Sequence, residues 1–266
     1  MNRTLIFGIL NVTPDSFSDG GNFLSLADAL AHAKKLIDEG ADVIDVGGES
    51  TRPGAERITS EIELERVIPV IKHLTTAGIE VSIDTMRSEV AMAAVAAGAK
   101  YVNDVSGGKA DENMFETVAK LNVKYILMHW RGQSKEMDNL AVYQNVVKEV
   151  LEELNIQIEK ALSAGIKRQN LIIDPGLGFA KESAHNWQIL QNLAEFKSLN
   201  LPILVGHSRK RFLNELDPRL GKELDFKDSA TASISYQLAR EGIWAVRVHD
   251  AKQTKAAIAV ASRYLE

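Results

Sequence analysis

The sequence predicts a single (β/α)8 barrel, in which eight parallel strands alternate with helices. Eight short apolar runs recur along the 266 residues, separated by segments with helical spacing of apolar residues. These runs are nearly continuous rather than alternating, which is typical of parallel strands buried on both faces. No Pro-, Gly- or Ser-rich linker divides the chain, and its length suits one barrel. We therefore expect residues 1–266 to form one domain.

A doubly wound open sheet is the structural alternative. A Gly-x-Gly-x-x-Gly turn after the first strand would favour that fold. The first apolar run is followed instead by Asn11 and a polar loop without that spacing. The barrel is therefore the preferred interpretation.

The first strand–helix unit shows the pattern that repeats along the chain. Residues 5–10 form a buried strand, and the polar loop after Asn11 contains Pro14, which cannot continue a central strand. Ser25 is a plausible N-cap for the next helix, where apolar residues recur at helical spacing. A strand thus delivers a polar side chain, and a loop and a helix follow.

The other units repeat this order. Ser60 and Glu63 form a predicted capping box, and Gly98 and Gly165 are predicted to end helices. The further strands are predicted at 43–47, 80–84, 101–104, 124–129, 171–174, 202–206 and 245–249. The further helices are predicted at 60–76, 88–97, 113–121, 142–164, 211–216, 228–240 and 251–264.

The composition narrows the function classes. The formal net charge of −5 argues against a nucleic-acid partner held by bulk electrostatics. The chain has no cysteine, which excludes disulfides, thiolate metal sites and cysteine nucleophiles. No apolar stretch approaches the length of a membrane span, and the N-terminal run is too short for a signal peptide. We expect a soluble cytoplasmic protein without a membrane partner.

Polar residues end every predicted strand. One strand-end aspartate most often caps the next helix, but convergence of eight such positions indicates a site, because active sites of these barrels lie at the C-terminal strand ends. The residues at these ends are Asn11, Glu49 to Arg52, Asp84, Asn103, His129, Asp174, Lys210, Arg247 and His249.

One part of this set suits a flat polar heterocycle. Asp84, Asn103 and Asp174 offer planar acceptors, and a carboxylate accepts two parallel N–H bonds from amide and amino groups. Lys210 offers a donor to a ring carbonyl or ring nitrogen. We expect these four residues to surround one ring.

The other part suits an anion with a metal ion. Arg52, Arg247 and His249 are donors of the kind that bind phosphate. Asn11 offers a neutral oxygen that Mg²⁺ accepts while keeping most of its water. We therefore expect a metal-bound phosphate beside the heterocycle.

Two other chemistries find little support. Ser208 follows His207, but neighbours in sequence do not make a catalytic triad, and a loop serine more often caps a helix. His129 has no second histidine at metal-ligand spacing, which argues against zinc. We expect neither hydrolysis by a serine nucleophile nor a zinc centre.

The strand-end motifs resemble those of the dihydropteroate synthase family over the whole chain and in the same order. The first two motifs together are highly specific. The matching segments are Asn11-Val-Thr-Pro-Asp-Ser-Phe-Ser-Asp-Gly20, Asp45-Val-Gly-Gly-Glu-Ser-Thr-Arg-Pro-Gly54, Asp84-Thr85, Asn103-Asp-Val-Ser-Gly107, Met128-His129, Asp174-Pro-Gly-Leu-Gly-Phe179, Ser208-Arg-Lys210 and Arg247-Val-His249.

The resemblance implies an enzyme of folate biosynthesis. It would join 4-aminobenzoate to 6-hydroxymethyl-7,8-dihydropterin diphosphate, release diphosphate, use Mg²⁺ and be inhibited by sulfonamides. It implies pterin contacts at Asp84, Asn103, Asp174 and Lys210, and a diphosphate site at Asn11, Arg247 and His249, with the metal at Asn11. Arg247, His249, Lys210 and Asp84 would carry catalysis. The aminobenzoate site would comprise Phe17, Ser18, Thr51, Arg52, Pro53, Phe179 and Arg211, the last standing where many members have serine.

The resemblance also implies a homodimer through late helices of the barrel, and the reaction is expected to be dissociative. A corrinoid-linked methyltransferase is the alternative enzyme, since it shares the pterin contacts. A pterin-binding paralogue without activity is the alternative from another class, and a purely structural barrel is the remotest one. An assay for dihydropteroate formation distinguishes the proposed enzyme from the paralogue.

Overall fold

The eight predicted strands form one closed parallel barrel, which confirms the predicted fold class. Hydrogen-bonded neighbours follow the order β6-β5-β4-β3-β2-β1-β8-β7. A parallel bridge between Ile173 and Ile203 joins the two ends of this order and closes the barrel. The strands are β1 (Leu5–Asn11), β2 (Val43–Gly47), β3 (Val81–Asp84), β4 (Tyr101–Asp104), β5 (Lys124–Met128), β6 (Leu171–Asp174), β7 (Leu204–Gly206) and β8 (Ala245–Val248).

Helices surround the barrel in this computed structural model, which describes residues 3–13, 26–50, 57–133 and 136–265. Short 3₁₀ segments lie at Met137–Leu140, Arg168–Asn170, Lys197–Leu199 and Arg211–Leu216. The helices are α1 (Leu26–Asp38), α2 (Ser60–Thr76), α3 (Ser88–Ala96), α4 (Met114–Leu121), α5 (Val146–Ser163), α6 (Ser183–Gln191), α7 (Leu193–Phe196), α8 (Leu224–Arg240) and α9 (Ala251–Arg263).

Side chains alternate between the inside of the barrel and the helix-facing side, as period-two strands require. The lower interior is apolar and is filled by a cluster that includes Phe7, Val43 and Ile172. Phe7 also packs against Trp244, with ring centroids 5.6 Å apart. The outward-facing residues join the helices in the larger core. The lower barrel is therefore a packed core, and a ligand site is confined to the upper rim.

Two predicted helix starts were wrong by about one turn. Helix α5 begins at Val146 rather than at residue 142, because the Asn145 side chain accepts a hydrogen bond from the Lys148 amide at 3.1 Å. Helix α8 begins at Leu224 rather than at residue 228, and its N-cap residue, Glu223, makes no side-chain capping bond. The second start therefore lacks a side-chain cap, although Asp225 lies in its first turn.

The predicted capping box at Ser60 and Glu63 was wrong. Thr59 is the N-cap of α2, and its side chain accepts a hydrogen bond from the Ile62 amide at 3.4 Å. Glu63 is fully buried and pairs with Arg87 instead of folding back on the helix terminus. A tertiary ion pair therefore replaces the expected local bond.

Helices α6 and α7 were not predicted. The buried positions of α6 include the polar residue Asn186 beside the apolar Ile189, so the apolar periodicity is weak. Asn186 is buried because its side chain accepts a bond from the Gly178 amide at 2.6 Å and donates to the Glu182 carbonyl. Helix α6 therefore supports the loop that follows β6. Among the helices that the structure describes, none is long and apolar enough to cross a membrane.

Candidate active site

A cavity of about 1020 Å³ opens at the C-terminal ends of the strands. Its lining holds more cationic than anionic side chains, although the whole chain is acidic. A cavity of this size and polarity suits a small anionic ligand. The predicted site residues that line it are Asn11, Asp84, Phe179, Lys210, Arg211, Arg247 and His249.

Strand register brings the predicted ring-binding residues into one interior layer. Asp84 of β3 is the register partner of Asn103 on β4, and Asp174 of β6 ends the next strand but one. All three side chains are buried. The structure therefore places these three acceptors, all buried, near the C-terminal ends of their strands.

Glycines leave space among these polar groups. A Cβ at Gly206 would lie 3.4 Å from Asp174 Oδ2 and 4.0 Å from Lys210 Nζ. A Cβ at Gly47 would lie 3.6 Å from Asn11 Oδ1. Because both glycines face the interior, the rim has room for a ligand where other strands carry side chains.

Lys210 lies beside the acceptor layer. Its ammonium group donates to the Leu177 carbonyl and lies 4.7 Å from the centroid of the Phe179 ring. Burial lowers the Lys210 pKa to about 8, against the opposing effect of Asp174. Burial raises the Asp174 pKa, and Lys210 counteracts that rise. The two groups therefore stabilise each other's charged forms.

The loop that presents Lys210 is fixed from below. Arg209 has a left-handed backbone with φ of 58°. Its guanidinium binds the Asp228 carboxylate of α8 through two bonds of 2.6 and 2.7 Å. Such a two-bond pair offsets the cost of the unusual backbone conformation. Ser208 and Lys210, on either side, are therefore held at defined positions.

Arg247 is bound by two carboxylates. Its Nε donates to Asp45 Oδ2 and its Nη2 to Asp84 Oδ2, while Nη1 has no hydrogen bond to the described part of the chain. Burial nevertheless raises the Asp84 pKa to about 7, although Arg247 opposes the rise. Asp84 therefore titrates near neutral pH, and Arg247 retains the two N–H donors of Nη1 for a ligand.

Sequence reasoning missed Asp45 as a site residue. This carboxylate has no exposed surface and accepts a hydrogen bond from Asn103 Nδ2 at 3.1 Å. The strand-end criterion passed over it because it lies inside β2, ahead of Gly47. An aspartate within an otherwise apolar strand was the available signal.

Ser208 interacts with His249 rather than with a helix terminus, so its expected role as a helix cap was wrong. The His249 amide donates to Ser208 Oγ at 3.2 Å, and Ser208 Oγ lies 3.0 Å from His249 Nδ1. Since Oγ accepts from the amide, its proton is available to Nδ1. When Oγ donates to Nδ1, the proton of a neutral His249 lies on Nε2.

His129 is buried beneath the cavity and does not line it. Lys181 Nζ lies 2.9 Å from His129 Nδ1, and Glu153 Oε2 lies 3.0 Å from Nε2. Burial lowers the His129 pKa to about 3, so the ring is neutral. Lys181 also donates to the carbonyls of Gly176 and Phe179. These residues therefore stabilise the loop after β6, a role that sequence reasoning missed for Lys181.

The predicted aminobenzoate residues are only partly described. Phe179 and Arg211 line the cavity, and Arg211 Nη2 donates to Asp138 Oδ1 at 2.7 Å at the exposed rim. Glu49, also predicted at a strand end, pairs with Arg57 and Arg87. The other predicted residues, Phe17, Ser18, Thr51, Arg52 and Pro53, lie outside the described residues.

The predicted Mg²⁺ site can be compared with the side chains that could bind a metal ion. The described residues contain no group of three or more His, Cys, Asp or Glu that could hold a metal ion. Asn11 lines the cavity with a half-buried amide, and Mg²⁺ in enzymes often takes one or two protein ligands, water and substrate phosphate. The residues therefore fit an ion that binds together with a phosphorylated substrate.

Comparison with known proteins identifies the family to which this chain belongs. Residues 7–249 match the model of the pterin binding enzyme family. Dihydropteroate synthase of Mycobacterium leprae is 47% identical over 264 residues, covering 98% of this chain and 93% of that protein. The chain belongs to the dihydropteroate synthase family.

Solved structures of this family share the fold over nearly the whole chain. Xanthomonas albilineans dihydropteroate synthase with 4-aminobenzoic acid is 41% identical with a TM-score of 0.91, covering 99% of this chain and 94% of that one. The Xanthomonas enzyme in complex with 7,8-dihydropteroate is 38% identical with a TM-score of 0.88 and the same coverage. Family membership therefore rests on sequence and on structure.

Proposed function

We propose that this chain condenses 4-aminobenzoate with (7,8-dihydropterin-6-yl)methyl diphosphate to give 7,8-dihydropteroate and diphosphate. One observation carries the proposal: the buried carboxylate of Asp84 and several cationic side chains line the same cavity of a dihydropteroate synthase family barrel. The family structures with 4-aminobenzoic acid and with 7,8-dihydropteroate support both the substrate and the product.

The pterin ring is proposed to bind among Asp84, Asn103, Asp174 and Lys210. The carboxylates accept bonds from ring and exocyclic N–H groups, and Lys210 donates to the ring carbonyl or nitrogen. Because the three acceptors Asp84, Asn103 and Asp174 are buried, each makes a stronger bond with the ring than it would in water. This half of the site orients the methylene carbon towards the anion half.

The diphosphate is proposed to bind Asn11, Arg247 and His249. Arg247 Nη1 and His249 Nε2 donate to its oxygens, and Mg²⁺ held by Asn11 and the diphosphate would add positive charge as the leaving group departs. Phe179 is proposed as one wall of the aminobenzoate pocket, with Arg211 near its carboxylate. The rest of this pocket is proposed to consist of Phe17, Ser18, Thr51, Arg52 and Pro53.

The chemical step replaces one bond by another. The methylene C–O bond breaks, and its electron pair leaves with the diphosphate. Positive charge then spreads from the methylene into the ring, where Asp84 and Asp174 stabilise it. The neutral amine of 4-aminobenzoate forms the new C–N bond, and the resulting ammonium gives one proton to water. Arg247 and His249 stabilise the departing anion before the amine attacks.

The activity test is direct. Purified protein with both substrates and Mg²⁺ should form 7,8-dihydropteroate and an equal amount of diphosphate, and a sulfonamide should compete with 4-aminobenzoate. Diphosphate release in single-turnover experiments without 4-aminobenzoate tests the dissociative order. If pterin binds but no product forms, the paralogue without activity is the correct interpretation.

The pH dependence of kcat/KM for the pterin substrate should be bell-shaped. Asp84 must be ionised to accept ring N–H bonds, so activity should rise as pH increases through about 7. Lys210 must be protonated to donate, so activity should fall as pH increases through about 8. Lys210→Arg should remove the alkaline limb, since arginine stays protonated, whereas exposed Lys252→Arg should preserve both limbs. An unchanged alkaline limb in Lys210→Arg would exclude this assignment.

Ser208→Ala should lower kcat about tenfold by releasing the tautomer of His249, a magnitude equal to one net hydrogen bond. The KM for 4-aminobenzoate should stay near that of the native protein, because Ser208 contacts the anion half. Ser208→Thr keeps a hydroxyl and should restore part of the rate. Exposed Ser233→Ala is the matched control and should leave kcat unaltered. Steady-state kinetics measures all three variants.

Three further properties stay predictions. We propose a homodimer, a cytoplasmic location and one domain over residues 1–266. The continuous strand order supports the domain assignment. Light scattering of the purified protein measures the number of subunits.

A further inference from the structure

Asp45 contacts both halves of the candidate site without lining the cavity. Its Oδ2 accepts hydrogen bonds from Asn103 on β4 and from Arg247 on β8, and it has no exposed surface. Its Oδ1 is buried and has no hydrogen-bond partner within the described residues. Any influence of Asp45 on a ligand therefore passes through Asn103 and Arg247.

The contact with Asn103 determines which end of its amide serves a ligand. A carboxylate only accepts hydrogen bonds, so the amide nitrogen must face Asp45. The carbonyl oxygen of Asn103 is then the group that remains for the pterin. Without the carboxylate, both amide orientations become accessible, and one of them presents a donor where the pterin also presents donors.

The contact with Arg247 fixes the plane of its guanidinium. Asp45 binds Nε and Asp84 binds Nη2, so two points of the planar group are held. Nη1 then has a defined direction for the diphosphate. With Asp84 alone, the guanidinium could pivot about one bond and would lose entropy on binding an anion.

We propose that Asp45 is a positioning residue that couples the pterin half and the diphosphate half of the active site. The inference rests on the proposed function, because it takes the pterin and the diphosphate as the ligands of these halves. The Asp45 carboxylate orients Asn103, which accepts from the ring, and Arg247, which donates to the anion. A single substitution at Asp45 should therefore weaken both ligands.

The test uses Asp45→Asn, which preserves the side-chain volume. By calorimetry, 6-hydroxymethylpterin and inorganic diphosphate with Mg²⁺ should each bind about tenfold more weakly, the equivalent of one net hydrogen bond per ligand. Asp42→Asn is the matched control, since Asp42 pairs with Arg3 ahead of β2 at the opposite end of the barrel. It should leave both affinities unchanged.

Double mutants separate positioning from a general loss of structure. In an Asn103→Ala background, Asp45→Asn should have no further effect on pterin binding. In an Arg247→Ala background, it should have no further effect on diphosphate binding. Additive losses in both backgrounds would overturn the proposal, as would unchanged affinities in the single variant.

Native protein provides a second measurement if Asp45→Asn does not fold. The Nε–H resonance of Arg247, identified by its disappearance in Arg247→Lys, should exchange slowly with and without diphosphate, because Asp45 holds it. Rapid exchange in either state would contradict the inference. Failure of native protein to form dihydropteroate would count against the proposed function, whereas native activity with an unaffected Asp45→Asn would count against Asp45 alone.

Discussion

Arg247→Ala should lower kcat/KM for the pterin diphosphate by about 10²–10³-fold, the range found when one donor to a developing anion is removed. Arg247 provides the Nη1 donors, which remain after its bonds to Asp45 and Asp84 are made. Steady-state kinetics with varied pterin diphosphate measures the loss. Binding of a pterin without the diphosphate should weaken less.

The same variant should shift the pH profile. Arg247 lowers the Asp84 pKa, so its removal should raise that pKa further above about 7 and move the acid limb of kcat/KM upwards. Arg247→Lys should give intermediate activity, since an ammonium keeps the charge but lacks the planar fork. Exposed Arg219→Ala is the control. Full activity in Arg247→Ala would refute the anion site.

Asp84→Asn should lower kcat/KM by about 10²–10³-fold, because it removes a charge-assisted acceptor for the ring and a carboxylate that stabilises the cationic methylene. Calorimetry with 6-hydroxymethylpterin should show weaker binding, while binding of inorganic diphosphate should change less. The exposed variant Asp38→Asn changes the same charge away from the cavity and should match native protein.

Asp84→Asn should raise the thermal stability of the protein above neutral pH, although it lowers activity. The pKa of Asp84 is raised to about 7 in the folded state. The contribution of Asp84 to the free energy of unfolding is therefore complete below its pKa in the unfolded state and is lost as pH rises through about 7. Asparagine resembles the neutral form. At pH 8, Asp84→Asn should therefore melt at a higher temperature than native protein, and at pH 4 the two should agree. A lower melting temperature at pH 8 would contradict the buried-charge argument.

The sequence located most of the polar rim because barrel geometry assigns strand ends to one edge. An apolar run followed by a polar residue marks a strand end. This pattern was enough to predict the positions of Asp84, Asn103, Asp174 and Lys210. His129 was predicted from the same kind of strand-end position. Its side chain, however, contacts Lys181 and Glu153 and does not line the cavity. Position along a strand does not specify which way a flanking side chain turns.

By itself, the sequence determined the barrel, the order of its strands along the chain and the set of chemically competent side chains. These depend on apolar periodicity and residue type, which are local properties. Only the tertiary structure decided that Asp45 joins Asn103 to Arg247, that Ser208 serves His249 and that Glu63 pairs with Arg87. Each of these contacts joins residues of different structural elements, and the choice among possible partners depends on how the elements pack, on strand register and on the cost of burying an unpaired charge.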